Sequence, residues 1–112
     1  MRIAIPVAGG VLSSHFGHCE SFTLVDTGDD GKTIAGSSVV QAPPHEPGLL
    51  PKWLSERGVS LIIAGGMGQR ARDLFDAKNI NVVVGAPTDT PENLATAYLK
   101  GDLQEGENAC DH

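Results

Sequence analysis

Three consecutive stretches decide the fold: Val59-Ser-Leu-Ile-Ile-Ala64, Gly65-Gly-Met-Gly-Gln-Arg-Ala-Arg-Asp-Leu-Phe-Asp-Ala-Lys78 and Ile80-Asn-Val-Val-Val84. The first and third are short apolar runs with little alternation, the pattern of strands covered on both faces. Between them Gly68 to Lys78 is long enough for a helix, and a helix joining two buried strands makes them parallel neighbours. Thr90-Pro-Glu-Asn93 then supplies an N-cap, a proline for the first helical position and an acid for the first turn of a helix reaching Leu99.

Toward the N-terminus the pattern changes. Arg2-Ile-Ala-Ile-Pro-Val7 reads as a strand whose Pro6 marks an edge or the strand exit, followed by a loop from Ala8 to Glu20. Ser21 to Asp26 and Thr33 to Gln41 read as two further strands. The hairpin-type turn Gly28-Asp-Asp-Gly31 between them makes this pair antiparallel. Ala42-Pro-Pro-His-Glu-Pro-Gly48 is a loop because its prolines remove donors, and Leu49 to Arg57 is a short helix closed by Gly58. The order βββαβαβα predicts an α/β domain: a mixed sheet covered by helices, with parallel strands in its C-terminal half.

With 112 residues, 40% hydrophobic and 20% charged, the chain fits one domain able to remove roughly two thirds of its surface from water without disulfides or a structural metal. We expect residues 1–100 to form this domain and residues 101–112 a mobile acidic tail. No apolar run reaches the roughly 20 residues of a membrane span, and Met1 to Val7 is no signal peptide, so the expected location is the cytoplasm and no membrane partner is expected. A net charge of -6 without a Lys/Arg cluster argues against nucleic acid as a partner. Asp102, Glu105, Glu107 and Asp111 make the tail strongly acidic, so the rest of the chain is nearly balanced and free to meet an anion.

Three constellations have chemistry in them. Ser14-His-Phe-Gly-His-Cys19 gathers two imidazoles and a thiol directly after a strand, where ligand crevices of open α/β sheets form. His15, His18 and Cys19 suit a soft or borderline metal or a metal–sulfur cluster; alternatively Phe16 packs inward and the histidines are solvated. Cys110-Asp-His112 offers the same ligand types, either as a free tail or folded back to complete that site. The spacing lacks a Cys-x-x-Cys knuckle, which excludes a closed zinc finger. His45 in the proline loop is a further candidate, as ligand or as solvated side chain.

The third, Ala64-Gly-Gly-Met-Gly-Gln-Arg-Ala71, places glycines at a strand–helix junction. There Gly65, Gly66 and Gly68 let a ligand approach the backbone, Met67 offers a soft thioether contact or packs inward, and the first-turn amides with Arg70 and Arg72 favour an anion. Tight packing of helix on strand explains the same glycines equally well. A dinucleotide site is disfavoured because Gly85-Ala-Pro87 stands where an acidic ribose ligand belongs, and no Gly-Lys-Ser/Thr ending makes a phosphate loop. No carboxylate lies within Arg2–Gly10 or Leu61–Gly68 for two-metal hydrolysis.

Met1-Arg-Ile-Ala-Ile-Pro-Val7, Ser14-His-Phe-Gly-His-Cys-Glu-Ser-Phe22, Leu61 to Ala71, Ile80 to Gly85 and Asn108-Ala-Cys-Asp-His112 together resemble the dinitrogenase iron-molybdenum cofactor biosynthesis family, in its small stand-alone form. The resemblance implies a ribonuclease H-like three-layer α/β/α sandwich with a five-stranded mixed sheet. It also implies non-catalytic carriage or storage of an anionic cluster: molybdenum with copper or iron, or iron–sulfur. A nucleotide-binding cluster-scaffold ATPase is the implied partner, and the chain would be a monomer or weak homodimer. The family's anion-friendly loops map onto His15, Gly17, His18 and Cys19 and onto Gly65 to Arg70, while the tail is either a solvated flap or a lid that brings Cys110 and His112 to the metal. The alternatives are a metal-free regulatory or scaffold domain that contacts such an ATPase, and a thiol enzyme using Cys19.

Overall fold

A computed structural model describes residues 1–13, 16, 19–43 and 49–103. Among them the chain runs β1 (Arg2–Ala8), β2 (Val11–Leu12), β3 (Ser21–Thr27), β4 (Ile34–Gln41), α1 (Leu49–Glu56), β5 (Leu61–Ile63), α2 (Gln69–Ala77), β6 (Asn81–Val83) and α3 (Pro91–Lys100). The sheet order is β4-β3-β1-β5-β6, with β2 paired to β1 off this path. β3 lies antiparallel to both β1 and β4, whereas β1, β5 and β6 are parallel. The mixed five-strand path and its parallel C-terminal half are those expected from the element order.

β1 is central, and its alternation builds both cores. Ile3, Ile5 and Val7 face α3, joining Val25, Leu61, Ile63, Leu94 and Ala95. Ala4 faces α1 and α2, joining Phe22, Leu24, Leu54, Ile62 and Phe75. Helices therefore cover both faces, two on one side and one on the other. Pro6 is tolerated in this central strand because the ladder to β5 reaches only Ala4↔Ile62; its carbonyl instead accepts Ser13 N–H at 2.9 Å.

β2 lies inside the stretch expected to be loop. Gly9 and Gly10 take φ of 65° and 84°, a reversal open to glycine in both positions, and return the chain onto β1 through Val7↔Leu12. Leu12 N–H then donates to Asp89 O at 2.9 Å, tying this ribbon to the segment ahead of α3. α3 is finished at both ends: Thr90 Oγ1 accepts Asn93 N–H at 3.4 Å, and Gly101 closes the C-terminus in the left-handed region at φ 78°.

Candidate functional site

Because β1, β5 and β6 are parallel, the segments leaving their C-terminal ends gather at one edge of the sheet. Three of these segments meet at Gly65 and Gly66. Phe16 N–H donates to Gly66 O at 3.1 Å, Gly85 N–H donates to Gly65 O at 3.0 Å, and Ala86 N–H donates to Ala64 O at 3.2 Å. The glycine loop is thus held from the β1 side and the β6 side at once. Its peptides lie close to both neighbours, the packing role that glycine permits.

Phe16 anchors the segment that follows the β1–β2 ribbon. Its ring packs edge-on against Phe75 of α2 at 5.4 Å and tilted against Phe22 of β3 at 5.6 Å, and the side chain is buried. Each such pair contributes about 0.5–1.5 kcal/mol beyond its area. Both sequence readings meet here: Phe16 is core, and its burial fixes a polar segment against the glycine loop.

Gly68 is the N-cap of α2, extended at φ −66° and ψ 154°, with no side chain to accept the first amides and no acid in the first turn. A Cβ at Gly68 would meet nothing within 4 Å, so this helix end faces open space. Arg70, exposed in the first turn, adds a cation where aspartate or glutamate is normally favoured. Gln69 Nε2 is engaged with Asp73 Oδ1 at 2.7 Å. The arrangement suits an anion: uncapped amides, the positive end of the dipole and a guanidinium together.

Cys19 is half-buried against the same core cluster, and burial pushes its thiol up to about 11. The group is a neutral thiol near pH 7. A metal that ligated it would have to displace that proton.

The other candidates divide cleanly. Gly65 and Gly66 are buried in the junction, and Met67, 1% exposed, is packed in the core cluster with Phe16 and Phe75. His15, Gly17, His18, His45, Cys110 and His112 lie outside the described residues. Among the described residues no three His, Cys, Asp or Glu side chains are grouped to hold a metal ion. No described helix is long and apolar enough to cross a membrane. Sequence reasoning missed Gly85 and Ala86, whose amides lock the glycine loop. Their only local signal is Gly-Ala-Pro after an apolar strand, at the end where ligands collect.

The chain is 30% identical over 112 residues to the uncharacterised protein MJ0580 of Methanocaldococcus jannaschii, covering 96% of this chain and 92% of that one. The crystal structure of PH0822 superposes with a TM-score of 0.89 at 29% identity and full coverage of both chains. The apo form of the orange protein from Desulfovibrio gigas shares the fold, with a TM-score of 0.74 at 20% identity, over 96% of this chain and 93% of that one. The family model described as dinitrogenase iron-molybdenum cofactor matches residues 1–101, and the chain belongs to that family.

Proposed function

We propose that this chain binds, stores or delivers an anionic metal–sulfur cluster or its precursor without catalysing a reaction. The cargo is a sulfide cluster of molybdenum with copper or iron, or an iron–sulfur cluster. The observation that carries the reading is the uncapped N-terminus of α2 at Gly68, with Arg70 in its first turn, next to the glycine loop that Phe16 holds. Family membership supports a role connected with cofactor assembly. His15 and His18 flank Phe16 in the chain, and we assign them, with Cys19, to metal or sulfide contacts. Cys110 and His112 complete the donor set from the tail, and His45 is a further contact. Gly17 and the exposed Gly68 let the cargo approach the backbone, while Gly65, Gly66 and the buried Met67 pack the junction beneath the loop.

The raised Cys19 thiol argues against the thiol-enzyme alternative, since a nucleophile must be a thiolate near neutrality. A nucleotide-binding scaffold ATPase is the partner we assign for loading or unloading, in the cytoplasm. The metal-free scaffold alternative is separated by anaerobic reconstitution with molybdate, copper or iron and sulfide, followed by absorption spectroscopy and metal analysis. We expect a retained chromophore; a colourless, metal-free product overturns the carrier reading. Replacing His15, His18 and Cys19 together by Ala is expected to abolish retention, and truncation after Gly106 tests Cys110 and His112.

A further inference from the structure

Among the described residues the sheet has two edges, β6 and β4. β6 is three residues long, itself a protection against pairing. β4 spans eight residues, Ile34–Gln41, without a charge or a proline, and residues 35–39 are exposed. Which of its backbone groups face outward follows from the ladder. Thr27 N–H donates to Met1 O and Ser13 N–H to Pro6 O, so odd residues of β3 address β1. Even residues of β3 then address β4 through the registers Phe22↔Val40 and Leu24↔Ser38, and just ahead of β3 the carbonyl of Glu20, whose N–H turns to Val7 O, accepts Ala42 N–H on the same side. Ser37, Val39 and Gln41 therefore turn their N–H and C=O groups to the open edge. Val39 is also 70% exposed, and the only register irregularity in this pair lies at the other end, beside Ile34.

We propose that β4 pairs antiparallel with β4 of a second copy across a two-fold axis at Val39. Val39 then faces Val39 of the second copy, Ser37 faces Gln41, and Ser38 faces Val40. An antiparallel edge is complementary to itself: each outward residue offers one donor and one acceptor, and the two-fold operation supplies the matching pair. Three such pairs form about six hydrogen bonds. The uncharged strand brings no like charges into contact, although each copy carries -6 overall. The paired stretch is roughly 17 Å long at about 3.4 Å per residue. That is well short of a standard interface of about 800 Å² per partner, so the dimer is weak and concentration-dependent. Antiparallel pairing also sends the glycine-loop ends of the two copies to opposite edges of the joined sheet, so each copy keeps its own site.

The test needs only the metal-free full chain. Sedimentation velocity from about 10 μM to about 1 mM is expected to show a rising dimer fraction that salt increases by screening the net charge. Val39→Lys is expected to remove the dimer while leaving melting temperature and circular dichroism unchanged, because the side chain is already in solvent. As a second readout, Val39→Cys should form a disulfide between the two introduced thiols, since facing residues lie about 5.5 Å apart at Cα. Asn81→Cys on the opposite edge should not. A monomer at every concentration, a Val39→Lys variant that dimerises like the wild type, or cross-linking at Asn81 as fast as at Val39 overturns the proposal.

Discussion

The N–H of Phe16 donates to the carbonyl of Gly66 at 3.1 Å, joining the segment after the β1–β2 ribbon to the loop after β5 through backbone alone. What holds the two within reach is the Phe16 ring, wedged between Phe75 and Phe22. Phe16→Ala removes both ring contacts and is expected to cost about 3–5 kcal/mol in urea denaturation. Phe16→Leu should recover most of that loss. If the loop is part of the cargo site, Phe16→Ala at temperatures where it remains folded should also release reconstituted chromophore faster than wild type; equal release rates would confine Phe16 to the core.

Gly68 allows stability and binding to be moved in opposite directions. Its extended backbone accepts any residue and a Cβ there meets nothing, so Gly68→Asp introduces no clash. The new carboxylate would accept the open amides of α2 and complement the dipole, a gain of about 0.5–1 kcal/mol visible as a raised melting temperature. The same carboxylate occupies those amides and repels an anion. We expect cargo retention to fall several-fold in the more stable variant. Retention unchanged beside a raised melting temperature would place the cargo elsewhere.

Cys19 makes an alkaline prediction. In the unfolded chain its thiol ionises near about 8.5, whereas burial in the native state holds it to about 11. Between these values the unfolded state has released the proton and the native state has kept it, so native stability falls as pH rises through that window. Denaturation midpoints between pH about 8.5 and about 11 should decline less in Cys19→Ala than in the wild type. Parallel declines would show that the thiol is not shielded.

How much of this was legible beforehand depends on whether a feature is local. The order from β5 to α3 was readable because its signals sit in the segments themselves: the apolar run at Leu61–Ile63, the Thr90 cap and the Gly101 terminator. β2 was not, because two residues become a strand only when Gly9-Gly10 folds Val11–Leu12 onto β1 and Leu12 reaches Asp89. The exposure of β4 was equally hidden, since Ile34-Ala-Gly-Ser-Ser-Val-Val-Gln41 has strand-forming residues but no pattern that says which face is covered. At the site, the glycine junction and Arg70 could be read from spacing. The locking of Gly65 by Gly85 could not, as it joins residues twenty positions apart in the segments that follow neighbouring strands.

The far end of the sheet supplies a control for the near one. Arg2 Nε lies 2.8 Å from Asp26 Oδ1 across the β1–β3 pair, and its Nη1 donates to Arg57 O at 2.7 Å, so one guanidinium ties both strands to the turn after α1. The hydrogen bond from Arg2 holds the Asp26 carboxyl below the usual carboxylate range. Its stabilisation is present above the unfolded value of about 3.9 and is lost as pH falls through the depressed native value. Asp26→Asn should therefore melt below wild type at pH 7, with the gap closing as pH falls through the depressed native value. The effect should be small, because the two side chains are 37% and 45% exposed. Arg2→Lys should lose more than Asp26→Asn, since an ammonium cannot reproduce the guanidinium fork that meets Asp26 and Arg57 together. Neither change touches the Gly65–Arg70 loop at the opposite end of β1, so cargo retention should match wild type in both. A variant that lost cargo at a temperature where it stayed folded would show that the two ends of the sheet are coupled.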